Sequence, residues 1–282
     1  MVVLVTGASG QLGQSLQFIA SQYSEMQFIF ASSQDLDITD EGRVFSFFDK
    51  NKINFCINAA AYTAVDKAES DQEKAYLVNV TGPKNLAIAC QKNNATLIHI
   101  STDFVFDGTA NTPYLESDLT NPIGVYGQTK LDGEKEVASN CSKYFIIRTS
   151  WVYSQFGNNF MKTMLRLSQD RTELNVVSDQ IGTPTNAVDL AKAILEIISN
   201  TKQVANYGIY NFSNEGQCSW YDFAKEIFKI NNVNINVNPI PTEAYPTPAK
   251  RPKYSVLDKS KIKSTFGIII KNWQEALAQT KI

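Results

Sequence analysis

The sequence predicts an α/β protein in which a doubly wound parallel sheet is followed by a smaller, mixed α/β substrate domain. Short apolar runs such as residues 2–5 alternate with helical patterns through the first half of the chain, which is typical of parallel strands buried on both faces. A glycine-rich turn joins the first run to the first helical pattern, and the final third breaks into shorter elements separated by prolines. Together these features indicate a Rossmann-type sheet with a second region of short elements.

Composition narrows the class of protein. The chain has 282 residues, 43% of them hydrophobic and 19% charged, with a net charge of -2. This balance is ordinary for a globular protein and lacks the basic excess of nucleic-acid and membrane-surface binders. No apolar run approaches the ~20 residues that span a bilayer, and the N-terminus has no basic signal-peptide segment. Four well-separated cysteines fit a reducing compartment. We therefore expect a cytoplasmic protein that binds neither nucleic acid nor membranes.

The turn after the first strand, residues 6–13, is the first candidate binding site. Its glycines are Gly7, Gly10 and Gly13. Glycine permits a tight turn and close approach of a pyrophosphate, and the following helix N-terminus presents unpaired N–H groups. The spacing differs from the G-x-G-x-x-G of simple dehydrogenases, and a plain tight turn is the alternative. We interpret the segment as a nucleotide-binding loop.

The second predicted strand ends at Ser32 and Ser33, where a dinucleotide fold contacts the adenosine ribose. An acidic residue there favours NAD and an arginine favours NADP. The two serines leave the choice between NADPH and NADH open. Asp37 and Ile38 are candidates to lie near the adenine, although Asp40 also gives this acidic stretch a structural role as a helix cap.

The third and fourth predicted strands, residues 53–58 and 96–100, flank two helical patterns within residues 66–93. Small residues at 59–61 suit close approach of a cofactor, and packing explains them nearly as well. The only histidine, His99, lies in the fourth strand, where we interpret it as a core residue. Mechanisms that depend on a Ser-His-Asp triad are therefore excluded.

A polar turn with Thr102 and Asp103 follows the fourth strand, at the edge of a parallel sheet where ligands bind. The Thr102 hydroxyl is suited to hydrogen-bond a substrate carbonyl oxygen, whereas Asp103 has capping of a turn as an alternative role. A long connection, residues 104–121, leads to the next helix. Loops of this length are usually functional or mobile.

The next helix carries Tyr126 and Lys130, whose four-residue spacing places them on one face. A nearby lysine ammonium lowers the pKa of a tyrosine, and the pair then moves a proton to or from an oxygen atom. The same spacing recurs at Tyr221 and Lys225, without a polar strand end or a nucleotide loop nearby. We interpret that second copy as packing.

The rest of the chain predicts a strand at residues 145–148, a helix at 159–168, a strand at 174–177 and a periodic helix at 187–199. We assign residues 1–150 to an NAD(P)-binding domain. We expect residues from about 174 to 200 to cross back to it. A substrate domain takes about 151–173 and 201–282.

Several segments, in order along nearly the whole chain, resemble the extended short-chain dehydrogenase/reductases and, among them, the dTDP-4-dehydrorhamnose reductase family. The matching segments are residues 6–13, 58–69, 101–103, 126–131, 148–153, 157–160, 179–185 and 245–252. No single segment is specific for this family, but their occurrence together in one chain is specific.

The resemblance implies an oxidoreductase that uses NADPH or NADH to reduce the C4 keto group of dTDP-4-dehydro-6-deoxy-L-mannose. This is the last step of dTDP-L-rhamnose biosynthesis, which supplies polysaccharides. Tyr126 would protonate the C4 oxygen, Lys130 would bind the nicotinamide ribose, and Thr102 would stabilise the developing charge.

By the same resemblance, the cofactor is held by Gly7, Gly10, Gln11, Leu12, Gly13, Ser32, Asp37, Ile38, Ala61, Tyr62, Thr63, Ile100, Tyr126 and Lys130. The substrate is held by Thr102, Asp103, Trp151 and Arg251, the last through its diphosphate.

The chain departs from the family pattern at a few positions. Phe104 stands where some members have a tyrosine, which removes one hydroxyl. Ser15 and Val188 stand where some members have glutamates that bridge a dimer through Mg²⁺. Neither side chain offers a carboxylate to a hard cation. We therefore expect no metal site, and a monomer or a homodimer without a metal bridge.

Two other functions remain as alternatives. One is a different nucleotide-sugar 4-ketoreductase, epimerase or dehydratase, although dehydratases usually add a second acid beside the triad threonine. The other is a non-catalytic, NADP-binding regulatory subunit resembling the methionine adenosyltransferase β subunit. Retention of Thr102, Tyr126 and Lys130 favours an enzyme.

Overall fold

The computed structural model describes residues 1–200 and 206–280. A six-stranded parallel sheet lies at its centre. Its strands are β1 (Val2–Thr6), β2 (Gln27–Ala31), β3 (Phe55–Asn58), β4 (Thr96–Thr102), β5 (Tyr144–Thr149) and β10 (Gly208–Asn211). They lie in the order β10-β5-β4-β3-β1-β2. The predicted doubly wound parallel sheet is confirmed.

Strand order reverses at β1, because β2 pairs on one side of it and β3 on the other. Thr6 is in register with Asn58, and Thr102 with Thr149. The carboxyl ends of these strands therefore meet at one edge, which is where open α/β sheets bind ligands.

Helices cover both faces of this sheet. They are α1 (Gln11–Ile19), α2 (Glu41–Asn51), α3 (Val65–Ala68), α4 (Gln72–Tyr76), α5 (Gly82–Lys92), α6 (Val125–Asn140) and α8 (Ala187–Asn200). Val3 and Val5 pack with α1 and α8 on one face, while Leu4 packs with α2 and α5 on the other. All three side chains are fully buried, as an all-apolar parallel strand requires.

The helical region after β3 differs from the two predicted helices. The first pattern breaks after α3, and a π-helical segment, Leu77–Thr81, joins α4 to α5 without a gap. Asn79 in this segment is buried and hydrogen-bonds both backbone groups of Tyr62, at 2.9 Å and 3.2 Å. A π segment is typical of functional sites, and here it holds the turn after β3 in place.

A second region packs beside the carboxyl edge of the large sheet. Its strand pairs are β6 (Val152–Tyr153) with β9 (Thr185–Asn186), β7 (Glu173–Val177) with β12 (Asn236–Ile240), and β8 (Ile181–Gly182) with β11 (Cys218–Ser219). Its helices are α7 (Phe160–Leu167), α9 (Trp220–Ile230) and α11 (Trp273–Ala278). Aromatic and aliphatic side chains from these elements form a core of their own. A further helix, α10 (Ser260–Phe266), packs on the large sheet instead.

The structure differs from the predicted division at two places. β7 pairs with β12 instead of returning to the large sheet. Its alternating burial, with Leu174 and Val176 inside, leaves one face exposed, whereas the central strands of the large sheet are buried on both faces. Conversely, β10 extends the large sheet beside β5. The expected crossover is made by α8, which packs on α1. The two-domain division itself stays a prediction.

Among the described residues, no helix is both long and apolar enough to traverse a bilayer.

Candidate active site

A cavity of about 670 Å³ opens where the carboxyl edge of the sheet meets the second region. Twelve of the predicted site residues line it: Gly10, Gln11, Leu12, Ala61, Thr63, Ile100, Thr102, Asp103, Tyr126, Lys130, Trp151 and Arg251. Segments that are distant in sequence thus converge on one space.

Six predicted cofactor residues lie outside this lining: Gly7, Gly13, Ser32, Asp37, Ile38 and Tyr62. The Ser32 hydroxyl and backbone N–H both donate to the Asp35 carboxylate, at 2.6 Å and 2.9 Å. The Ile38 side chain is buried, and the Tyr62 hydroxyl donates to Asp71 at 3.1 Å. Their assignment to the cofactor stays a prediction.

The glycine-rich loop is packed too tightly to accept side chains at two of its glycines. Gly7 has a φ of +67°, and a Cβ there would lie 2.5 Å from the Ala60 nitrogen. A Cβ at Gly13 would lie 2.4 Å from the Gly7 carbonyl oxygen. Gly10 precedes α1, whose first turn has no side-chain cap. The unpaired backbone N–H groups in the first turn of α1 are therefore free to bind an anion.

Gln11 connects this loop to the second region. Its side-chain oxygen accepts hydrogen bonds from Asn159 Nδ2 at 2.9 Å and from the Ser154 hydroxyl at 3.1 Å. Its Nε2 donates to the Val152 carbonyl at 3.3 Å. Asn159 also caps α7, so this amide pair fixes the position of the cofactor loop relative to α7.

Tyr126 lies in the first turn of α6 and faces the cavity beside Thr102. Removal of its hydroxyl from water raises the pKa of Tyr126 to about 12, although the Thr102 hydroxyl opposes that rise. The negative charge of Asp103 raises the pKa further. Lys130 is not among the groups that cause this shift, and its expected lowering of the Tyr126 pKa stays a prediction.

Lys130 is buried and points its amine toward the end of β4. The Nζ atom donates to the Ile100 carbonyl at 2.6 Å and lies 3.4 Å from His99 Nε2. Burial lowers the pKa of Lys130 to about 8, and the Glu134 carboxylate opposes this shift. His99 is fully buried, as predicted for a core residue. Its contact with Lys130 nevertheless makes it part of the site, which the sequence analysis missed.

Asp103 is a buried carboxyl at the cavity wall. Burial raises its pKa to about 6, while hydrogen bonds from Ser255 and Thr102 oppose the shift. The Thr102 hydroxyl donates to Asp103 Oδ1 at 3.0 Å. Asp103 Oδ2 and the Ser101 hydroxyl are among the few buried side-chain atoms of the described residues without a hydrogen-bond partner. Unpaired polar atoms at a cavity wall are suited to bind a polar ligand.

Two stacked tryptophans form one side of the cavity. The rings of Trp151 and Trp220 lie 3.6 Å apart, with an angle of 10° between their planes. Trp151 has a φ of +47°, a strained conformation for a bulky side chain. A Cβ at Gly182 would lie 2.6 Å from the Trp151 ring, so only glycine fits beneath it. The structure thus holds Trp151 in a defined orientation, and its role in binding the substrate stays a prediction.

Arg251 lines the cavity, but its guanidinium is already paired. Nη1 and Nη2 bind the two Asp66 oxygens at 2.9 Å and 2.7 Å. The bidentate contact holds the pKa of Asp66 below its ordinary value. A diphosphate would therefore meet an arginine that is oriented by Asp66, and this role stays a prediction.

The two positions considered for a bridging metal have other contacts. The Ser15 hydroxyl donates to the Gln11 carbonyl at 2.8 Å within α1, and Val188 packs against the core. Within residues 1–200 and 206–280, no cluster of three or more histidine, cysteine or acidic side chains is arranged to hold a metal ion.

Several residues that line the cavity had no individual role predicted from the sequence. They include Ser9, Ala59, Ser101, Thr149, Asn159, Gln180 and Trp220. Asn159 and Gln180 lie in segments that carry the family resemblance, which was a usable signal. No sequence signal indicated Trp220, because this residue reaches the cavity through the packing of α9 against α7.

Comparison with known sequences identifies the family. A sequence model of the RmlD substrate binding domain matches residues 1–281. The chain is 45% identical over 284 residues to a dTDP-4-dehydrorhamnose reductase of Aggregatibacter actinomycetemcomitans. The match covers 98% of this chain and 96% of that relative.

Comparison with solved structures gives the same family. A dTDP-4-dehydrorhamnose reductase from Clostridium acetobutylicum is similar with a TM-score of 0.94 and 47% identity, covering 99% of this chain and 98% of that one. The Bacillus anthracis enzyme in complex with NADP has a TM-score of 0.94 and 41% identity, covering 98% and 96%.

Proposed function

The chain belongs to the RmlD substrate binding domain family, and we propose that it is an NAD(P)H-dependent dTDP-4-dehydrorhamnose reductase. It reduces the C4 keto group of dTDP-4-dehydro-6-deoxy-L-mannose and yields dTDP-L-rhamnose for polysaccharide synthesis. The observation that carries this proposal is the convergence of Thr102, Tyr126 and Lys130 on one cavity at the sheet edge. Relatives that cover almost the whole chain have this activity in their names.

The glycine-rich loop fits a dinucleotide. Its backbone approaches residues 59–60 with no room for a side chain at Gly7, and the first turn of α1 offers unpaired N–H groups to a pyrophosphate. Gly10, Gln11, Leu12, Ala61, Thr63 and Ile100 line the adjoining part of the cavity and would hold the rest of the cofactor. When bound, the reduced nicotinamide supplies the hydride for C4.

Tyr126 supplies the proton. With a pKa of about 12, its phenol is protonated at neutral pH and serves as a general acid toward the C4 oxygen. The neighbouring Thr102 hydroxyl would turn from Asp103 Oδ1 to donate to the same oxygen and stabilise its developing negative charge. Burial strengthens both hydrogen bonds, because the local dielectric constant is low.

The substrate extends from these residues toward Trp151 and Arg251. The stacked tryptophans present a flat apolar wall to the deoxysugar ring. A second cavity, also of about 670 Å³, shares Arg251 and is lined by Lys250, Lys253 and Tyr254. We assign the diphosphate to Arg251, because cationic side chains favour phosphates. The nucleoside would then extend into the second cavity, which Arg251 shares.

The compartment and the oligomeric state are part of the proposal. Cys56, Cys90, Cys141 and Cys218 are free and buried, which fits a reducing cytoplasm. The chain acts as a monomer or as a homodimer without a metal bridge, since Ser15 and Val188 offer no carboxylate.

The experiment is reduction of enzymatically prepared dTDP-4-dehydrorhamnose by the purified chain, followed through the nicotinamide absorbance with NADPH and NADH in parallel. Sugar-dependent oxidation supports the reductase, and the ratio of the two rates gives the cofactor preference. Oxidation only with another 4-keto sugar nucleotide would instead support a different ketoreductase. Cofactor binding without any turnover would support the regulatory-subunit alternative.

A further inference from the structure

His99 is connected on both sides to polar groups of the active site. Its Nδ1 lies 3.0 Å from Asn58 Nδ2, and its Nε2 lies 3.4 Å from Lys130 Nζ. Both His99 and Asn58 are fully buried, and Lys130 is 2% exposed. At these distances the paired atoms are in direct contact, and their donor and acceptor roles must be satisfied between the side chains themselves.

The orientation of the Asn58 amide is set by a backbone group. Asn58 Oδ1 accepts from the Ala60 N–H at 3.2 Å and from the Thr6 hydroxyl at 2.8 Å. Because a backbone N–H can only donate, rotating the amide would place two donors against each other. The Asn58 NH₂ group therefore faces His99, and His99 Nδ1 must accept its hydrogen bond.

This orientation also sets the tautomer of His99. Burial and the neighbouring Lys130 charge hold the pKa of His99 well below its ordinary value, so the imidazole is neutral. A neutral imidazole carries one proton. Since Nδ1 accepts, the proton is on Nε2 and points toward the Lys130 amine. An ammonium has no lone pair to accept this N–H, whereas a neutral amine does.

We propose that His99 is a positioning residue whose Nε2–H stabilises the neutral amine of Lys130 and so makes the Lys130 ammonium a ready proton donor. The proposal rests on the reductase function argued above. Burial also favours the neutral amine of Lys130, whereas the Glu134 carboxylate favours the ammonium.

Other charged groups near Lys130 limit the effect. Glu134, one turn further along α6, favours the ammonium. It is also held by Arg148 of β5, with Nε–Oε1 and Nη2–Oε2 distances of 3.0 Å and 2.7 Å. Tyr126 precedes Lys130 by one turn, and Asp103 acts on Tyr126. His99 is the group on β4 that opposes Glu134.

The proton movements balance during turnover. The O–H bond of Tyr126 breaks as its proton passes to the C4 oxygen, which leaves a phenolate. An N–H bond of the Lys130 ammonium then breaks, and its proton, relayed by water in the cavity that both residues line, forms the Tyr126 O–H again. The resulting neutral amine accepts the His99 Nε2–H, and a proton from solvent restores the ammonium before the next cycle.

The first test reads the tautomer directly. Since the chain has a single histidine, ¹⁵N NMR of the histidine-labelled protein without a histidine tag shows one imidazole. We expect a protonated Nε2 and a bare Nδ1. Asn58→Asp should reverse them, because a carboxylate accepts from Nδ1–H. A protonated Nδ1 in the wild type, or an unchanged tautomer in Asn58→Asp, would overturn the proposal. No substrate is needed, so this result is independent of the proposed function.

The second test uses the pH profile of kcat/KM. Reversing the tautomer should move the alkaline limb upward by about one pH unit, the scale of a lost or gained hydrogen bond to a charged group. The carboxylate that Asn58→Asp introduces also contributes through its charge, so the substitution is repeated in a His99→Leu background. A larger shift with His99 present supports the tautomer effect, and equal shifts in both backgrounds would refute it. If the His99→Leu protein does not fold, the NMR experiment on the wild type still decides.

Discussion

The chain contains two Tyr-x-x-x-Lys pairs, one on α6 and one on α9, and only the first has the surroundings of a catalytic site. Tyr126 lies at the cavity beside a strand end, and Lys130 is 2% exposed with its Nζ 2.6 Å from the Ile100 carbonyl. Lys225 is exposed and lies 5.2 Å above the Tyr221 ring. The same spacing places each pair on one helix face. Burial beside a strand end, and not spacing, makes the first pair chemically useful.

The largest effect should come from removing the two tyrosine hydroxyls in turn. Tyr126→Phe should lower kcat by roughly 10²-fold or more, the scale of a positioned general acid, and leave cofactor affinity near the wild-type value. Tyr221→Phe is the matched control and should stay within about twofold, because its ring only packs on the second core. Steady-state kinetics with the sugar nucleotide measure both. Full turnover by Tyr126→Phe would mean that the proton donor is misassigned.

A second contrast concerns the ion pairs on the same two helices. Glu134 and Arg148 are 4% and 3% exposed, whereas Lys229, which pairs with Glu226 on α9, is 74% exposed. Glu134→Gln leaves a buried guanidinium without its charge partner and should cost about 3 kcal/mol. Glu226→Gln should cost less than about 1 kcal/mol. Urea unfolding gives both values, and similar costs would contradict the assigned role of burial.

A third contrast is in the pH dependence. The pKa of Lys130 is lowered to about 8 and that of Tyr126 is raised to about 12. The ammonium is therefore lost first, and kcat/KM should fall as the pH rises through about 8. Lys130→Arg should remove this decline, because guanidinium stays protonated, and should lower kcat at neutral pH. Lys225→Met should leave the pH profile of kcat/KM unchanged. A shifted profile in this variant would contradict the assignment of the decline to Lys130.

The smallest effects on stability are expected at two acidic residues that lie beside a threonine or serine hydroxyl, Asp103 and Asp222. The folded-state pKa of Asp103 is about 6, above its model-compound value of 3.8. The folded protein therefore binds more protons between these pH values, and stability is lost as the pH rises through this window. Asp103→Asn should raise stability by about 1 kcal/mol above pH 6 and by little below pH 3.8.

Asp222 is the matched acid on α9. It forms a capping box with Ser219, whose hydroxyl lies 2.6 Å from Asp222 Oδ2. Asp222→Ala should therefore lower stability by about 1 kcal/mol. Thermal melts over a pH series distinguish the two variants. Loss of stability in Asp103→Asn at neutral pH would show that the buried carboxylate is better paired than the structure indicates.

Much of the sheet could be predicted from local sequence. The run at residues 2–5 is apolar at every position, and the structure places Val3 and Val5 on one face and Leu4 on the other. Thr102, Tyr126 and Lys130 could also be found, because a strand end and a helix spacing are local features. The first five strands of the large sheet and the central part of the site therefore followed from short-range patterns, whereas β10 was not predicted.

Other features depend on contacts between distant segments. Trp220 stacks on Trp151 across 69 positions of the chain, and no local pattern indicates it. The same holds for the partner strand of β7, since alternating burial is compatible with several pairings. The direction of the Lys130 amine, toward Ile100 and His99, likewise depends on β4 and has no local signal in the sequence.

The most direct test of the reductase proposal is the position of the transferred hydride. The chain is incubated with dTDP-4-dehydrorhamnose and NADPH that carries deuterium at the transferred position, and the sugar nucleotide is analysed by NMR. We predict dTDP-L-rhamnose with deuterium on C4 alone, and almost none of this product from Tyr126→Phe. Deuterium at another carbon, or a rearranged sugar without deuterium, would contradict the account.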